Sequence, residues 1–82
     1  MVINIKADYV IDTKGLNCPM PVLKTKKAID SLKEGEILEV ITTDPGARID
    51  IPALVKRLGQ ELIGSREERG VVSFFIRKKR SE

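Results

Sequence analysis

The 82-residue sequence contains no histidine and only one cysteine, Cys18. Without histidine, the chain cannot supply a Cys–His pair, a Ser–His–Asp triad or a histidine-ligated metal ion. A lone cysteine can form neither an intrachain disulfide framework nor a cysteine-rich zinc site, so we expect no metal and no other cofactor. These absences exclude most hydrolase mechanisms and leave Cys18 as the residue best suited to chemistry.

Long hydrophobic runs are also missing. No apolar stretch approaches the roughly 20 residues that span a bilayer, and the start of the chain, MVINIKADYV, lacks the basic-then-apolar order of a secretory signal. We therefore expect a cytoplasmic protein without a membrane partner. With 41% apolar and 33% charged residues, the composition suits one globular domain over residues 1–82.

The charge balance is mildly basic, with a net charge of +3. Much of the excess lies in Lys24, Lys26 and Lys27 and in the tail at residues 77–80. Such clusters can bind RNA or an acidic protein surface. They also occur as solvated helix faces and fraying tails, so charge alone does not identify a partner.

The first half of the chain predicts a strand, a helix and a second strand. Residues 9–11 are rich in β-formers, and this strand ends near Asp12 in a run of turn residues. Helical periodicity follows over about residues 19–33. The apolar side of this helix consists of Val22, Thr25, Ile29 and Leu32. Residues 37–42 are mostly apolar and partly β-branched, which is typical of an interior strand.

The second half predicts another helix and a hairpin. A turn at residues 44–46 precedes a segment with the apolar spacing of a buried helix. Because proline is tolerated in the first helical turn, Pro52 places the start of this helix between residues 48 and 51. Residues 61–66 and 71–77 are predicted strands around a polar turn.

The resulting βαβαββ order predicts an α/β fold with a four-stranded mixed sheet. The first two strands are joined through a helix and should run parallel by a right-handed crossover, whereas the last two should be antiparallel. Both helices should then pack on one face of the sheet. The other face would be partly exposed or covered by a partner.

Cys18 lies where the first loop meets the first helix. A helix start supplies unpaired N–H groups and the positive end of the macrodipole, both of which favour a thiolate. Pro19 and Pro21 fit a first helical turn and should stiffen the backbone around the sulfur, while Lys14 and Lys24 add positive charge nearby. Free cysteines are often buried and inert, but a loop-to-helix junction of this kind faces solvent. We predict an exposed, anionic thiol.

The turn after the second strand is a second candidate region. Parallel strands place their following loops at the same end of a sheet, so this turn should lie beside Cys18. Asp44, Pro45 and Arg48 are therefore candidates for positioning a partner or tuning the sulfur. Alternatively, Asp44 only caps the second helix and fixes the turn.

One face of the first helix is a candidate docking surface. Met20 and Leu23 fall off the core side of the helix, near Lys27 and close to Cys18. An exposed Met–Leu pair favours binding of a partner protein. A neighbouring loop could instead cover Leu23, as small domains often cover single apolar side chains.

The stretch DTKGLNCPMP at residues 12–21 resembles the TusA/SirA-like sulfur carrier family, whose hallmark is a CPxP motif after a first strand. The family's upstream glycine matches Gly15, its Asp-Pro turn matches Asp44 and Pro45, and its later Asp-Ile-Pro matches residues 50–52. The likeness covers nearly the whole chain. It implies a two-layer α/β sandwich of βαβαββ order.

The resemblance also implies a sulfurtransferase activity. Cys18 would accept sulfane sulfur as a persulfide from a cysteine desulfurase or rhodanese and relay it to an acceptor protein, with Gly15, Pro19 and Pro21 as the supporting motif. Members of the family feed tRNA thiolation, molybdenum cofactor synthesis and sulfur oxidation. A carrier with one cysteine needs a thiol on its acceptor, because exchange proceeds by thiolate attack. A monomer is the favoured oligomeric state.

Two other functions remain open. A regulatory or RNA-binding module could use the basic tail and the open sheet face, with an incidental cysteine. Only Tyr9, Phe74 and Phe75 are available to stack on bases, so direct binding of nucleic acid is not expected. A redox protein could instead convert Cys18 to a sulfenic acid or a mixed disulfide.

Overall fold

The computed structural model describes residues 5–79. Its elements follow the predicted βαβαββ order: β1 (Tyr9–Asp12), α1 (Met20–Ser31), β2 (Ile37–Thr42), α2 (Ala47–Arg57), β3 (Glu61–Glu68) and β4 (Val71–Arg77). Within these residues, no helix is long and apolar enough to cross a membrane. Arg80, at the end of the basic tail, lies outside the described residues, as do the first four residues of the chain.

The strands form one mixed sheet in the order β1-β2-β4-β3. β1 is parallel to β2, and β4 lies between β2 and β3 and is antiparallel to both. The predicted fold class is confirmed. Because β1 and β2 are parallel, the loops that lead into α1 and α2 leave the sheet at the same end.

Alternate residues of the two central strands form the core beneath the helices. Leu38 pairs with Ile76 and Val40 pairs with Phe74 across β2 and β4, and all four are buried. The helices add further buried apolar side chains, among them Ile29, Ile51 and Val55. Burial of each large aliphatic side chain contributes about 1.5–3 kcal/mol. This packing fixes both helices on one face of the sheet.

The opposite face of the sheet is largely covered by the chain itself. Phe75 and Ser73 point away from the core side of β4, since strand side chains alternate, yet both are buried. The guanidinium carbon of Arg66 lies 6.0 Å from the ring centroid of Phe75. Ile5 reaches Gly64, where its Cδ1 would lie 3.0 Å from an added Cβ. The centre of this face, which we expected to be partly exposed or covered by a partner, is thus covered by side chains of the chain itself.

The helix boundaries differ from the prediction at both helices. α1 spans Met20–Ser31, shorter than residues 19–33, because Leu32 already has an extended backbone with ψ of 148°. α2 begins at Ala47, before the predicted residues 48–51. The N–H of Ala47 donates to both the backbone and the carboxylate oxygen of Asp44, which starts the helix early. Pro52 consequently lies inside α2.

The β3–β4 hairpin is longer and tighter than the prediction. β3 continues to Glu68, and only Arg69 and Gly70 connect it to β4. Both residues have positive φ, 52° and 80°. This conformation is that of a type I′ turn, whose twist matches the twist of the flanking strands.

Candidate functional site

The loop between β1 and α1 is anchored to β2 and its following loop. Thr13 is fully buried and donates from its N–H and its hydroxyl to the carbonyl oxygen of Ile41, at 2.8 and 2.6 Å. Gly15 has a φ of +82°, a conformation that favours glycine. Its N–H donates to Thr43 Oγ1 at 3.0 Å. These bonds hold the loop that carries Cys18 against the β2–α2 connection.

Cys18 lies at the end of this loop, two residues before α1, and it is exposed as predicted. The Cys18–Pro19 peptide bond is cis. Pro19 is the N-cap residue of α1, and Pro21 is buried in its first turn. The backbone therefore presents the thiol to solvent between an anchored loop and a buried helical turn.

The N-terminus of α1 does not stabilise a thiolate in the predicted way. Pro19 and Pro21 have no N–H, and the N–H of Met20 donates to the carbonyl oxygen of Asn17 at 3.0 Å. Among residues 5–79, no backbone N–H donates to Cys18 Sγ. The prolines that shape the first turn thus also remove two of its donors.

A carboxylate from α2 is the partner of the thiol. Cys18 Sγ donates to Asp50 Oδ2 at 3.5 Å. Gly46 lies beside both groups, since a Cβ there would be in ordinary contact, at 3.9 Å, with Cys18 Cβ and with Asp50 Oδ2. The β2–α2 loop therefore lies directly beside Cys18, as the parallel strands predicted.

This environment disfavours the thiolate. Although Cys18 is exposed, partial desolvation raises the pKa of its thiol, and the hydrogen bond to Asp50 and the charges of Asp50 and Asp44 raise that pKa further. The predicted stabilisation of an anionic thiol is thus wrong, since the surroundings of Cys18 raise the pKa of its thiol where the prediction required a lower one. The two expected cations act elsewhere: Lys14 Nζ lies 3.6 Å from Asp12 Oδ2, and Lys24 borders a groove between α1 and β1.

The candidate residues of the β2–α2 region, Asp44, Pro45 and Arg48, occupy different environments. Asp44 Oδ2 accepts the N–H of Ala47, the first residue of α2, at 3.0 Å, so Asp44 fixes the turn before Gly46, the N-cap of α2, as well as adding charge beside the thiol. Pro45 is exposed in the same turn. Arg48 is directed to β3, where its guanidinium pairs with Glu67. No hydrogen bond or ion pair joins Arg48 to Cys18 within the described part of the chain.

The predicted face of α1 is exposed near Cys18. Met20 and Leu23 are 43% and 54% exposed, and Lys27 is also exposed. Their spacing places all three on one side of the helix. The expectation that Met20 and Leu23 lie off the core is confirmed, and no neighbouring loop buries Leu23.

Asp50 is the site residue that the sequence did not identify. It lies 32 positions after Cys18, so no local pattern connects the two side chains. The one available signal was its place in the Asp-Ile-Pro stretch that matches the family pattern. A carboxylate in the first turn of a helix that follows a parallel strand could have been placed at this end of the sheet.

The site can hold and release a proton but offers little to a metal ion. Within residues 5–79, no group of three or more Cys, Asp or Glu side chains is spaced to hold a metal. The exposed thiol donates to a carboxylate, and it becomes a nucleophile once its proton is removed. Exchange at sulfur is the chemistry that this arrangement permits.

The chain resembles known proteins along most of its length. A family model described as sulfurtransferase TusA matches residues 9–78. The sulfur carrier protein TusA of Allochromatium vinosum is 45% identical over 71 residues, which cover 87% of this chain and 93% of that protein. The sulfur carrier protein TusA of Pseudomonas entomophila is 47% identical over 72 residues, covering 88% and 90%.

A longer relative and a solved structure extend the comparison. YrkF of Bacillus subtilis is 46% identical over 74 residues, 90% of this chain, but the chain spans only 40% of the length of YrkF. The crystal structure of the SirA-like protein from Desulfitobacterium hafniense has the same fold, with a TM-score of 0.77 at 24% identity over 88% of this chain and 99% of that one. The family model and the relatives confirm the predicted resemblance, and the chain belongs to the sulfurtransferase TusA family.

Proposed function

We propose that this protein is a sulfur carrier that accepts sulfane sulfur as a persulfide on Cys18 and relays it to another protein. The observation that carries the proposal is the exposed Cys18 thiol on an anchored loop, in a chain of the TusA family. The names of the similar sulfur carrier proteins support the same role. A cysteine desulfurase or a rhodanese would be the donor, and a thiol-bearing protein the acceptor.

The transfer balances without a cofactor. In loading, the Cys18 thiol loses its proton and Sγ attacks the terminal sulfur of the donor persulfide. The S–S bond of the donor breaks, a new S–S bond forms on Cys18, and the donor cysteine leaves as a thiolate that takes up a proton. In unloading, a thiolate of the acceptor attacks the terminal sulfur and Cys18 returns to a thiol. The protein thus acts as a sulfurtransferase only together with its partners.

The carboxylates beside the thiol give the donor a role in activation. Because the thiolate is the nucleophile, the bond from Cys18 to Asp50 keeps the free carrier in its less reactive form. A cationic group of the donor that approached Asp44 and Asp50 would offset their charge and lower the pKa of the Cys18 thiol. Loading would then require the docked donor.

The docking surface in this proposal is the exposed end of α1. Met20, Leu23 and Lys27 would contact the partner, and Pro45 in the neighbouring loop would extend the surface. Arg48 would help only after leaving Glu67. The carrier would work as a monomer in the cytoplasm.

The two alternative functions receive less support. Phe74 and Phe75 are buried, so Tyr9 is the one exposed aromatic residue in the described chain, and stacking on RNA bases lacks platforms. The raised pKa of Cys18 does not suit a peroxide sensor, because such cysteines react as thiolates and peroxide brings no cationic group to Asp44 and Asp50.

Mass spectrometry of the intact protein tests the proposal. After incubation with a cysteine desulfurase and free cysteine, the wild type should gain the mass of one sulfur atom, which reducing agent then removes. Cys18→Ala should gain none. Because Cys18 is exposed, this substitution should change the free energy of unfolding by less than about 0.5 kcal/mol. Sulfur uptake by Cys18→Ala, or none by the wild type with a series of desulfurases and rhodaneses, would refute the carrier role.

A further inference from the structure

A groove lies between edge strand β1 and helix α1, and we name it the β1–α1 groove. Its apolar compartment has a volume of about 250 Å³ and includes Tyr9 and Leu32 in its lining. Its basic compartment has a volume of about 390 Å³ and includes Lys24 and Lys27. Ile11 lines both compartments, so they form one continuous groove that runs along β1.

The outer edge of β1 has free backbone groups. β2 is the one neighbour of β1 among the strands of residues 5–79. The N–H of Thr13, directly after β1, donates to the carbonyl oxygen of Ile41 on β2, at 2.8 Å. Because successive residues alternate in direction, the N–H groups of Tyr9 and Ile11 also face β2, and those of Val10 and Asp12 point to the outside. These groups can pair with a further strand.

The two edges of the sheet differ in how they are protected. On β3, the other edge, charged side chains such as Arg66, Glu67 and Glu68 line the strand, and the register shifts between Leu62 and Gly64. Charges and irregularities of this kind prevent strands from adding to an edge. Of the four residues of β1, three are uncharged and only Asp12 carries a charge, and Tyr9 and Val10 are 53% and 56% exposed. β1 is therefore the accessible edge.

The charge of the basic compartment indicates the chemistry of its partner. Lys26 pairs with Asp30 at 3.7 Å, but within the described chain no carboxylate forms an ion pair with Lys24 or Lys27. The nearby Asp12 is paired with Lys14. A partner segment with carboxylates at this end of the groove would meet two available cations.

We propose that the β1–α1 groove binds an extended acidic segment of a partner protein, which adds as a strand to the outer edge of β1. Apolar side chains of the segment occupy the compartment beside Tyr9, and its carboxylates pair with Lys24 and Lys27. A second copy of this chain fits less well, because each copy carries a net charge of +3 and would bring its own cations to the contact. The binding needs no sulfur on Cys18, so it does not depend on the proposed function.

Peptide titration tests this site. The probe is a short fluorescent peptide of alternating valine and threonine residues with a glutamate-rich end, and fluorescence anisotropy measures its affinity. Binding should be saturable, and backbone N-methylation on the pairing edge of the peptide should abolish it, because strand addition depends on main-chain hydrogen bonds. In NMR spectra, the amide shifts should concentrate on β1 and the adjoining side of α1.

Paired charge variants separate the groove from general electrostatics. The double variant Lys24→Glu, Lys27→Glu should weaken peptide binding by about tenfold or more. The control Lys56→Glu, Arg57→Glu changes the net charge by the same amount on exposed residues of α2 and should alter affinity less than about twofold. Cys18→Ala should bind as the wild type does.

Several results would overturn the proposal. These are the absence of saturable binding, equal weakening by both double variants, and binding that tolerates N-methylation. A dimer of the free protein that buries β1, detected by sedimentation and by protection of its amides, would assign the edge to a second copy instead. Persulfide loading of Cys18, measured separately, would still report on the carrier role.

Discussion

The β1–α1 and β2–α2 junctions follow the two parallel strands and have equivalent places in the fold. They differ in the side chains that lie at the start of the helix. At the β2–α2 junction, the carboxylate of Asp44 accepts the N–H of Ala47, the first residue of the helix, and Asp50 adds a negative charge to the first turn, where the helix dipole is positive. The β1–α1 junction has no side-chain cap and no acidic residue in the first turn of its helix. It places the exposed thiol of Cys18 two residues before its helix. The β2–α2 junction thus supplies carboxylates to the start of its own helix, whereas the β1–α1 junction presents a reactive thiol.

Carboxylates of the β2–α2 junction influence the thiol of the β1–α1 junction. The proline-rich start of α1 offers Sγ no N–H donor, whereas Asp50 lies within hydrogen-bonding distance of it. The carboxylate that favours the start of α2 therefore also favours the protonated thiol. A partner that contacts both loops can change the reactivity of Cys18 through Asp44 and Asp50 without touching the sulfur.

The largest effect is expected on folding, from the loss of the hydrogen bond at the start of α2. Asp44→Ala removes the acceptor of the Ala47 N–H and should lower the free energy of unfolding by about 1 kcal/mol, within a range of about 0.5–2 kcal/mol. The midpoint of thermal unfolding should fall by about 4–8 °C per kcal/mol. Circular dichroism during heating and urea titration measure both quantities.

Two variants control this prediction. Asp44→Asn keeps an acceptor oxygen and should retain most of the stability, because the side-chain oxygen of asparagine can also accept the N–H of Ala47. Asn17→Ala, at the other junction, removes a side chain that caps no helix and should change stability by less than about 0.5 kcal/mol. If Asn17→Ala cost as much as Asp44→Ala, the two junctions would not differ as described.

A smaller effect is expected on the reactivity of the thiol. Asp50→Asn removes the charged acceptor, so the pKa of Cys18 should fall and alkylation by iodoacetamide near neutral pH should accelerate several-fold. The pH at which alkylation reaches half of its maximal rate should also move downward, because it follows the pKa of Cys18. Asp30→Asn removes a carboxylate that pairs with Lys26 on α1 and should leave the rate unchanged.

The Cys18 thiol also makes the free energy of unfolding depend on pH in a direction that can be tested. The pKa of Cys18 is raised in the folded state, so its contribution to stability is complete below the ordinary value of 9.0 and is lost as the pH rises through the folded value. Asp50→Asn should therefore lose less stability than the wild type during alkaline titration. An identical alkaline profile and an unchanged alkylation rate would show that Asp50 does not hold the thiol proton.

The order of elements was predictable because its signals are local. The turn residues after β1 and before α2, together with the period of the apolar residues, predicted all six elements. The start of α2 was wrong because the prediction used Pro52 as the boundary, whereas the hydrogen bond to Asp44 begins the helix at Ala47. The helix then includes the proline beyond its first turn.

The state of the site was harder to predict than its location. The exposure of Cys18 followed from its place between a glycine-containing loop and a proline-rich helix start, and the structure confirms it. Its protonation depends on Asp50, which only the parallel pairing of β1 and β2 brings near. Sequence proximity instead favoured Lys14, whose ammonium group lies beside Asp12.

The smallest effect is therefore expected from Lys14→Ala. Its ion pair with Asp12 is solvent-exposed on both sides and contributes little, so the free energy of unfolding should change by less than about 0.5 kcal/mol. The alkylation rate of Cys18 should stay within about twofold of the wild type, because Lys14 is not among the groups that shift the pKa of the thiol. Iodoacetamide kinetics measured beside Asp50→Asn provide the check. If Lys14→Ala slowed alkylation as much as Asp50→Asn accelerated it, charges of both junctions would govern the thiol equally, and control by the β2–α2 junction alone would be refuted.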